Sequence, residues 1–445
     1  MNRTRDLIFY VSVGAGMALA TSVFTMIGGL FAVAGTTWIV LSIVLAGLSC
    51  AAIALSIGEL ASMYPSAPGI RTYFKAAFGS GPSLLAVYLY LTFAVIVAGL
   101  ESFVFSSVVR MAVPGMSSVV TVLLLLLTVV VTNLAGFQLP RGLQIGSTVG
   151  AFLLVLVASA WGVLNSTTAP LSQTPTMNAQ DSLAKLPSLI GMSIFLFTGF
   201  EWVTPLGLRP AAYRRQIPGS MLIGLFVLAV TYAGFVLGAA NQVAPQRLAN
   251  SIAPQVLLFR QLYGQAGVYA ALALSILAIF STFNAGILGG SQLIYLLGRD
   301  GSLPEWCGTL SLRAATPTSG IIILGGLATV SSILVLTFEL QIAAALIGAT
   351  IMCGVYSGFV LCGLKLKGGR VPPSQKFANP IPRLLQALLA VALLIVGYQT
   401  LFSEPAAVHA AIVGLIGVIA VAMLLTFYSN SLRQRAARQA LGSLE

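Results

Sequence analysis

The sequence predicts an all-α polytopic membrane protein with twelve transmembrane helices. Three observations carry that reading. Hydrophobic residues make up 58% of the 445 positions and charged residues only 7%, where a soluble chain carries about 25% charged residues. Apolar runs such as VVTVLLLLLTVVV (119–131) and GLIGVIAVAMLL (414–425) each fill much of a bilayer-spanning helix, which takes about 20 apolar residues. Basic residues cluster on alternate connections between such runs.

In chain order the predicted spans are 8–33, 37–60, 83–109, 115–134, 143–164, 187–207, 218–240, 266–296, 318–338, 341–362, 384–402 and 407–428. Only Glu339 and its neighbours separate the ninth from the tenth. With the N-terminus in the cytoplasm, four basic residues (Arg110, Lys185, Arg247 and Arg260) fall outside and the other 18 of 22 fall inside. An even number of spans with both termini cytoplasmic therefore satisfies the positive-inside rule. The same asymmetry accounts for the net charge of +12 without a nucleic-acid partner. The expected setting is the inner, cytoplasmic membrane, with lipid around the bundle. The first apolar segment runs straight into turns and a second segment, which is not the pattern of a cleavable signal peptide. The longest outer stretches, 165–188 and 241–264, are too short for a separate domain. The second has a half-apolar centre suited to a short interfacial helix.

Several function classes find no support. Cys50, Cys307, Cys353 and Cys362 form no CxxC pair, and His409 has no metal-ligand company. The ten acids are scattered and there is no nucleophile–base set, which argues against an enzyme. Neither a repeated carbonyl filter nor a ring of like charges suggests a channel. There is no Walker motif and no ATPase domain, so energy must come from an ion gradient or from exchange. No cofactor is expected.

The informative places are where spans look broken. Backbone inside a bilayer tolerates interruption only where protein or a watery cavity surrounds it. VGAGMALATSVFTMIGG (13–29) mixes small residues, hydroxyls and glycine pairs, and IFLFTGFEWVTPLG (194–207) adds Thr198, Gly199, Glu201 and Pro205. These stretches lie in the first and sixth spans, the spacing of an inverted five-helix repeat. A helix start there offers amide donors to a substrate carboxylate, and a helix end offers carbonyls to an ammonium or a cation. Gly14, Gly16, Gly28 and Gly29 equally suit close helix packing. Glu201 is expected to face a cavity or a partner, because a carboxylate in lipid is expensive. Glu59 ends the second span, where an ion pair or helix contact is expected. Glu101, towards the outer part of the third span, reads as a buried hydrogen-bonding group, with a proton site as the alternative. Ser281, Thr282 and Asn284 form a polar cluster in the eighth span, with bonding to their own helix as the competing role.

Four further stretches, in order and at the right spacing, resemble one family: AGTTWIVLSIVLAGLSCAAIALSIGELASMYPSAPGIRTYFKAAFG (34–79), NLAGFQLPRGLQ (133–144), FLFTGFE (195–201), and SQLIYLLGRDGSLPEW (291–306) followed by TPTSG (316–320). The sequence resembles the amino acid–polyamine–organocation permeases. That resemblance implies a LeuT-like core of two inverted repeats, helices 1–5 over 8–164 and helices 6–10 over 187–362, with two additional helices over 384–428. It implies alternating-access transport of amino acids or related small amines, coupled to sodium or protons or run as exchange. The implied substrate-binding residues are Ala20, Thr21, Ser22, Phe24, Thr198, Gly199, Phe200, Glu201 and Trp202, with Phe24, Phe200 and Trp202 closing over the substrate. The implied ion-binding residues are Ala20, Val23, Ser281 and Thr282.

The departures are informative too. ATSVF (20–24) stands where the family has a GSGIF-like break, so a Cβ crowds the approach of a substrate carboxylate. GAG (14–16) is the alternative position for that break. LRPAAYRRQIP (208–218) lacks the acidic pair common after the sixth span. No lysine stands near Gly150 and Ala151, where some proton-coupled relatives carry one. A small or aliphatic amino acid is the broadest substrate expectation, because a polyamine would want more acids. For Glu201 the roles in order are holding the unwound segment, shuttling a proton and receiving an amine. A sensor or scaffold built on a transporter fold is the alternative reading.

Overall fold

The computed structural model describes residues 3–65, 69–137, 140–165, 179–206, 210–367 and 377–442. Gly207, Leu208 and Arg209, named above, and most of the first outer stretch lie outside the described residues. Every regular element among the described residues is helical, as lipid requires of a chain whose amides and carbonyls must bond within the protein.

The first span is two helices, α1 (Arg3–Ala18) and α2 (Ser22–Val33), which meet at 52°. α3 (Thr36–Met63) leads to the short α4 (Gly69–Phe78), then α5 (Ser80–Ala112), α6 (Ser118–Leu134) and α7 (Arg141–Leu164). α8 (Ala179–Phe197) gives way to a 3-10 helix, Phe200–Leu206, before α9 (Pro210–Gln242) and the one-turn α10 (Pro245–Ala249). α11 (Pro254–Arg299), a 3-10 turn at Glu305–Gly308, α12 (Thr318–Phe338), α13 (Gln341–Leu366), α14 (Arg383–Leu401) and α15 (Val408–Gly442) complete the chain. Among the described residues ten helices are long and apolar enough to cross a membrane, and the bent α1–α2 pair makes an eleventh. The 17-residue α6 is apolar but shorter. It is about 26 Å long at 1.5 Å per residue, against a hydrocarbon core of about 30 Å.

Three boundaries differ from expectation or settle it. The chain is helical through Gly14–Gly16, so the break falls at Leu19–Thr21 and not at GAG. The chain kinks sharply at Gly264, at φ 59°, so residues 254–263 form a short separate helix and the eighth span itself starts beside the expected position 266. That backbone conformation costs a glycine little. The ninth and tenth spans part at Glu339, which takes the left-handed conformation (φ 51°) and ends α12.

α1 packs against α7, α9, α11 and the 3-10 helix of the sixth span, while α5 packs on α11, α12 and α13. α14 and α15 sit outside this core, α14 on α8 and α13, α15 on α5 and α13. The apolar window of α15 is only 11% buried, and Leu384, Leu388, Val413 and Phe427 are exposed. Such a surface suits a lipid solvent. α4 is fixed by Arg71, whose buried guanidinium bonds Asp300 at 3.1 Å, the Ser80 carbonyl at 3.0 Å and the Ser83 hydroxyl at 2.8 Å. All four cysteines are buried and unpaired. Among the described residues no His, Cys, Asp or Glu cluster could hold a metal ion.

Candidate functional site

The two broken spans cross at their breaks. Gly199 has φ +116°, and a Cβ there would lie 3.0 Å from Met17 Cγ and 3.2 Å from the Ala18 amide nitrogen. Gly14 gives the matching clearance: its Cβ would lie 3.1 Å from the Phe200 carbonyl oxygen. Both glycines therefore let the two backbones touch, and Gly199 also supplies a conformation that side chains resist. Tyr232, from α9, donates to the Ala18 carbonyl at 2.8 Å and so closes the end of α1.

The start of α2 is occupied by an acid from another helix. Glu101, on α5 and fully buried, accepts the Thr21 amide at 2.6 Å and the Ser22 amide at 2.8 Å. The Thr21 hydroxyl donates to the same carboxylate. These are first-turn donors that a helix cannot satisfy internally, and a carboxylate there is favoured by the helix dipole. Ser22 Oγ is buried beside them and interacts with the same carboxylate.

Glu201 has a different surrounding. Its two oxygens accept from Tyr90 at 2.7 Å and from Tyr356 at 2.9 Å, and the Gly199 amide donates at 3.2 Å. The acid thus ties the unwound segment to α5 and α13. A buried charge is tolerated when its lone pairs are filled in this way. Neither Tyr90 nor Tyr356 was singled out from the sequence. The available signal was a tyrosine hydroxyl inside an otherwise apolar span, which needs a partner when buried.

Two cavities meet at Trp202. One, of about 80 Å³, is lined by Ala20, Ser22, Val23, Glu101, Thr198, Gly199, Trp202 and Thr282 with apolar neighbours. The other, of about 380 Å³, is lined by Glu201, Trp202, Tyr90, Gln144 and Asn284. It shares Leu293 and Leu296 with a third space of about 800 Å³ edged by Arg71, Lys75, Arg299 and Asp300. The Trp202 indole stacks on Tyr90, centroids 5.4 Å apart, and forms the partition.

The residues named from the sequence divide accordingly. Ala20, Ser22, Val23, Thr198, Gly199, Trp202 and Thr282 share the smaller cavity. Thr21 lies behind it, on Glu101. Phe24 lines neither cavity and packs edge-on against Phe235 at 4.8 Å. Phe200 is likewise fully buried, 5.6 Å from the Tyr356 ring. Of the three aromatic residues, Trp202 alone borders a cavity. Thr282 Oγ1 lies 3.5 Å from the Gly16 and Met17 carbonyls, one turn before the Ala20 and Val23 carbonyls that the resemblance points to. The Ser281 side chain lies outside the described residues. Glu59 is buried at the end of α3.

Crossed broken helices around a small, largely apolar cavity with a few polar groups, in a bundle of apolar spans, are the arrangement of a solute carrier. Residues 7–435 match the family described as amino acid permease. The chain belongs to that family. Over 414 residues the permease is 22% identical to the branched-chain amino acid permease BcaP of Lactococcus lactis subsp. cremoris, covering 86% of each chain. It is 25% identical over 309 residues to the low-affinity putrescine importer PlaP of Escherichia coli K12, covering 66% of each. It is 20% identical over 420 residues to the human cystine/glutamate transporter, covering 91% of this chain and 81% of that one. The permease is therefore a multi-pass membrane transporter of the amino acid–polyamine–organocation superfamily, and not an enzyme.

Proposed function

We propose that the permease carries out secondary active transport of amino acids or related small amines across the cytoplasmic membrane by alternating access. The observation that carries this reading is the pair of cavities separated by Trp202 at the crossing of the two breaks. A substrate held in the smaller cavity reaches the larger one when Trp202 moves. The relatives named for branched-chain amino acids and for putrescine bracket the substrate range.

The wider reading is a twelve-span chain whose first ten form two inverted five-helix repeats. α14 and α15 are the added pair, and both termini are cytoplasmic. In that orientation the two larger spaces lie on the cytoplasmic side of Trp202, and the smaller cavity lies on its outer side, between α5 and α12. Rocking of the broken spans against α5, α12 and α13 then exchanges the open side. The energy source is an ion gradient or exchange. For sodium, the Gly16 and Met17 carbonyls with Thr282 supply oxygen ligands, beside Ala20, Val23 and Ser281.

The test is uptake by purified protein in liposomes, with labelled amino acids and amines. Conditions are inward sodium, inward proton, no gradient, and the same compound preloaded. Uptake above protein-free liposomes is expected under at least one condition. Specific binding with no flux under any of them would replace transport by substrate sensing.

A further inference from the structure

Resting on that transport reading, we propose that Glu101 stands in for a substrate carboxylate, and that the site takes a small monoamine lacking one. The amides at the start of α2 are the donors a substrate carboxylate would need. Here Thr21 and Ser22 already spend them on Glu101, at 2.6 and 2.8 Å. The pocket therefore carries its own carboxylate, supplied by α5, and an incoming one meets like charge with the donors taken.

The charge balance points the same way. The end of α1 and the start of α2 contribute about −0.5 and +0.5 of a charge, which cancel. Among the described residues that line the cavity, Glu101 is the one ionisable side chain, with no Lys, Arg or His. The site is thus left with about one negative charge and suits a monocation. A carboxylate offers about four acceptor positions. They face the Thr21 amide, the Thr21 hydroxyl, the Ser22 amide and the Ser22 hydroxyl, so an ammonium is held by the charge of the carboxylate. Ser22 Oγ lines the same cavity and, while donating towards Glu101, supplies an acceptor to the ammonium.

The remaining walls choose the rest of the ligand. Phe93, Val97, Phe195, Trp202, Phe283 and Leu324 are apolar, and a second cationic group finds no acidic partner among the lining residues. Glu201 lies beyond Trp202 with both oxygens bonded. A cavity of about 80 Å³, set against about 10–15 Å³ for one water on the same measure, fits a compact amine of about six heavy atoms.

The test pairs each amino acid with its decarboxylated amine: leucine with 3-methylbutylamine, and valine with 2-methylpropylamine. 1,4-Diaminobutane is the dication. Binding is measured by calorimetry on the full-length protein in detergent, and uptake in liposomes. Each monoamine is expected to bind at least tenfold tighter than its amino acid and tighter than the diamine. Glu101→Ala opens the two amides and is expected to move the amine-to-amino-acid ratio at least tenfold towards the amino acid. Ser22→Ala removes the hydroxyl between Glu101 and the cavity but leaves both amides on the carboxylate. It is expected to weaken amine binding several-fold and to lower the unfolding midpoint less than Glu101→Ala does, which keeps the proposal testable if Glu101→Ala does not fold. An amino acid or the diamine binding as tightly as the monoamine overturns the proposal, as does failure of both monoamines to bind folded protein. Amines that bind without uptake uphold the Glu101 assignment and overturn transport; uptake of amino acids in preference to amines does the reverse.

Discussion

Glu101 and Glu201 are both buried acids at helix breaks, yet their partners give them different work. Glu101 takes backbone amides and faces the smaller cavity, whereas Glu201 takes two phenols and holds three elements together. Hydrogen bonds to a charged group are worth about 1.5–3 kcal/mol each. Tyr90→Phe and Tyr356→Phe should therefore each lower the thermal unfolding midpoint in detergent, and the double variant should deviate from the sum because both act on one carboxylate. Glu201→Gln should destabilise similarly and slow uptake while leaving the preference between paired amines and amino acids unchanged. A changed preference would place the acid in the recognition site. Gly199→Ala should cost more than about 1 kcal/mol, since it combines a strained φ with contact on the backbone of α1; a normal unfolding midpoint would refute this. Glu201 was legible in the sequence, because an acid among glycine, threonine and proline within an apolar span has few other uses. The capture of Thr21 and Ser22 by Glu101 was not, because it depends on how α5 is rotated some 80 positions away. The same rotational phase, invisible in an apolar stretch, turns Phe24 and Phe200 into packing residues.

The helices show where pattern suffices and where it does not. Leu19–Thr21 break the first span within the run of small and hydroxyl residues, and α8 stops at the Thr198–Gly199 pair. The helix before the eighth span was legible as the half-apolar centre of 241–264, and Gly264, in a conformation a helix does not allow, parts it from the span. The 3-10 helix places Trp202 between the two cavities, with its ring against the bare backbone at Gly289. Trp202→Ala should merge the two spaces. A cysteine at Ala98, in the smaller cavity, should then react several times faster with a small polar thiol reagent, and equal rates would show that the partition lies elsewhere. The native thiols interfere little with this reading. Burial pushes the Cys307 thiol above its ordinary value, so its thiolate is scarcer than that of a free cysteine at every pH below that raised value. Its alkylation in folded protein should stay slow through neutral pH and rise only above the usual thiol range of about 8.5. Fast labelling at pH 7 would contradict the buried placement.

At the scale of the whole molecule, the spaces are unequal on the two sides of Trp202, and under the proposed alternating access this asymmetry reverses. The larger pair opens towards the face that carries Arg71, Lys75 and Arg299, held in place by the Arg71–Asp300 ion pair between α4 and the end of α11. The sequence assigns that face to the cytoplasm by charge alone. It says nothing of which side is open, because both states use the same residues. A cysteine at Asn284, which lines the larger cavity, tests side and state together. In inside-out vesicles it should react with a membrane-impermeant thiol reagent at least tenfold faster than in right-side-out vesicles, while a cysteine at Ala98 reacts slowly in both. Weakening the Arg71–Asp300 ion pair by Asp300→Asn should change the Asn284 rate by roughly five- to thirtyfold if it removes about 1–2 kcal/mol from one of the two states. The direction of that change tells which state the pair holds. Reactivity at Asn284 confined to right-side-out vesicles would invert the orientation, and equal reactivity from both sides would describe a pore in place of a carrier.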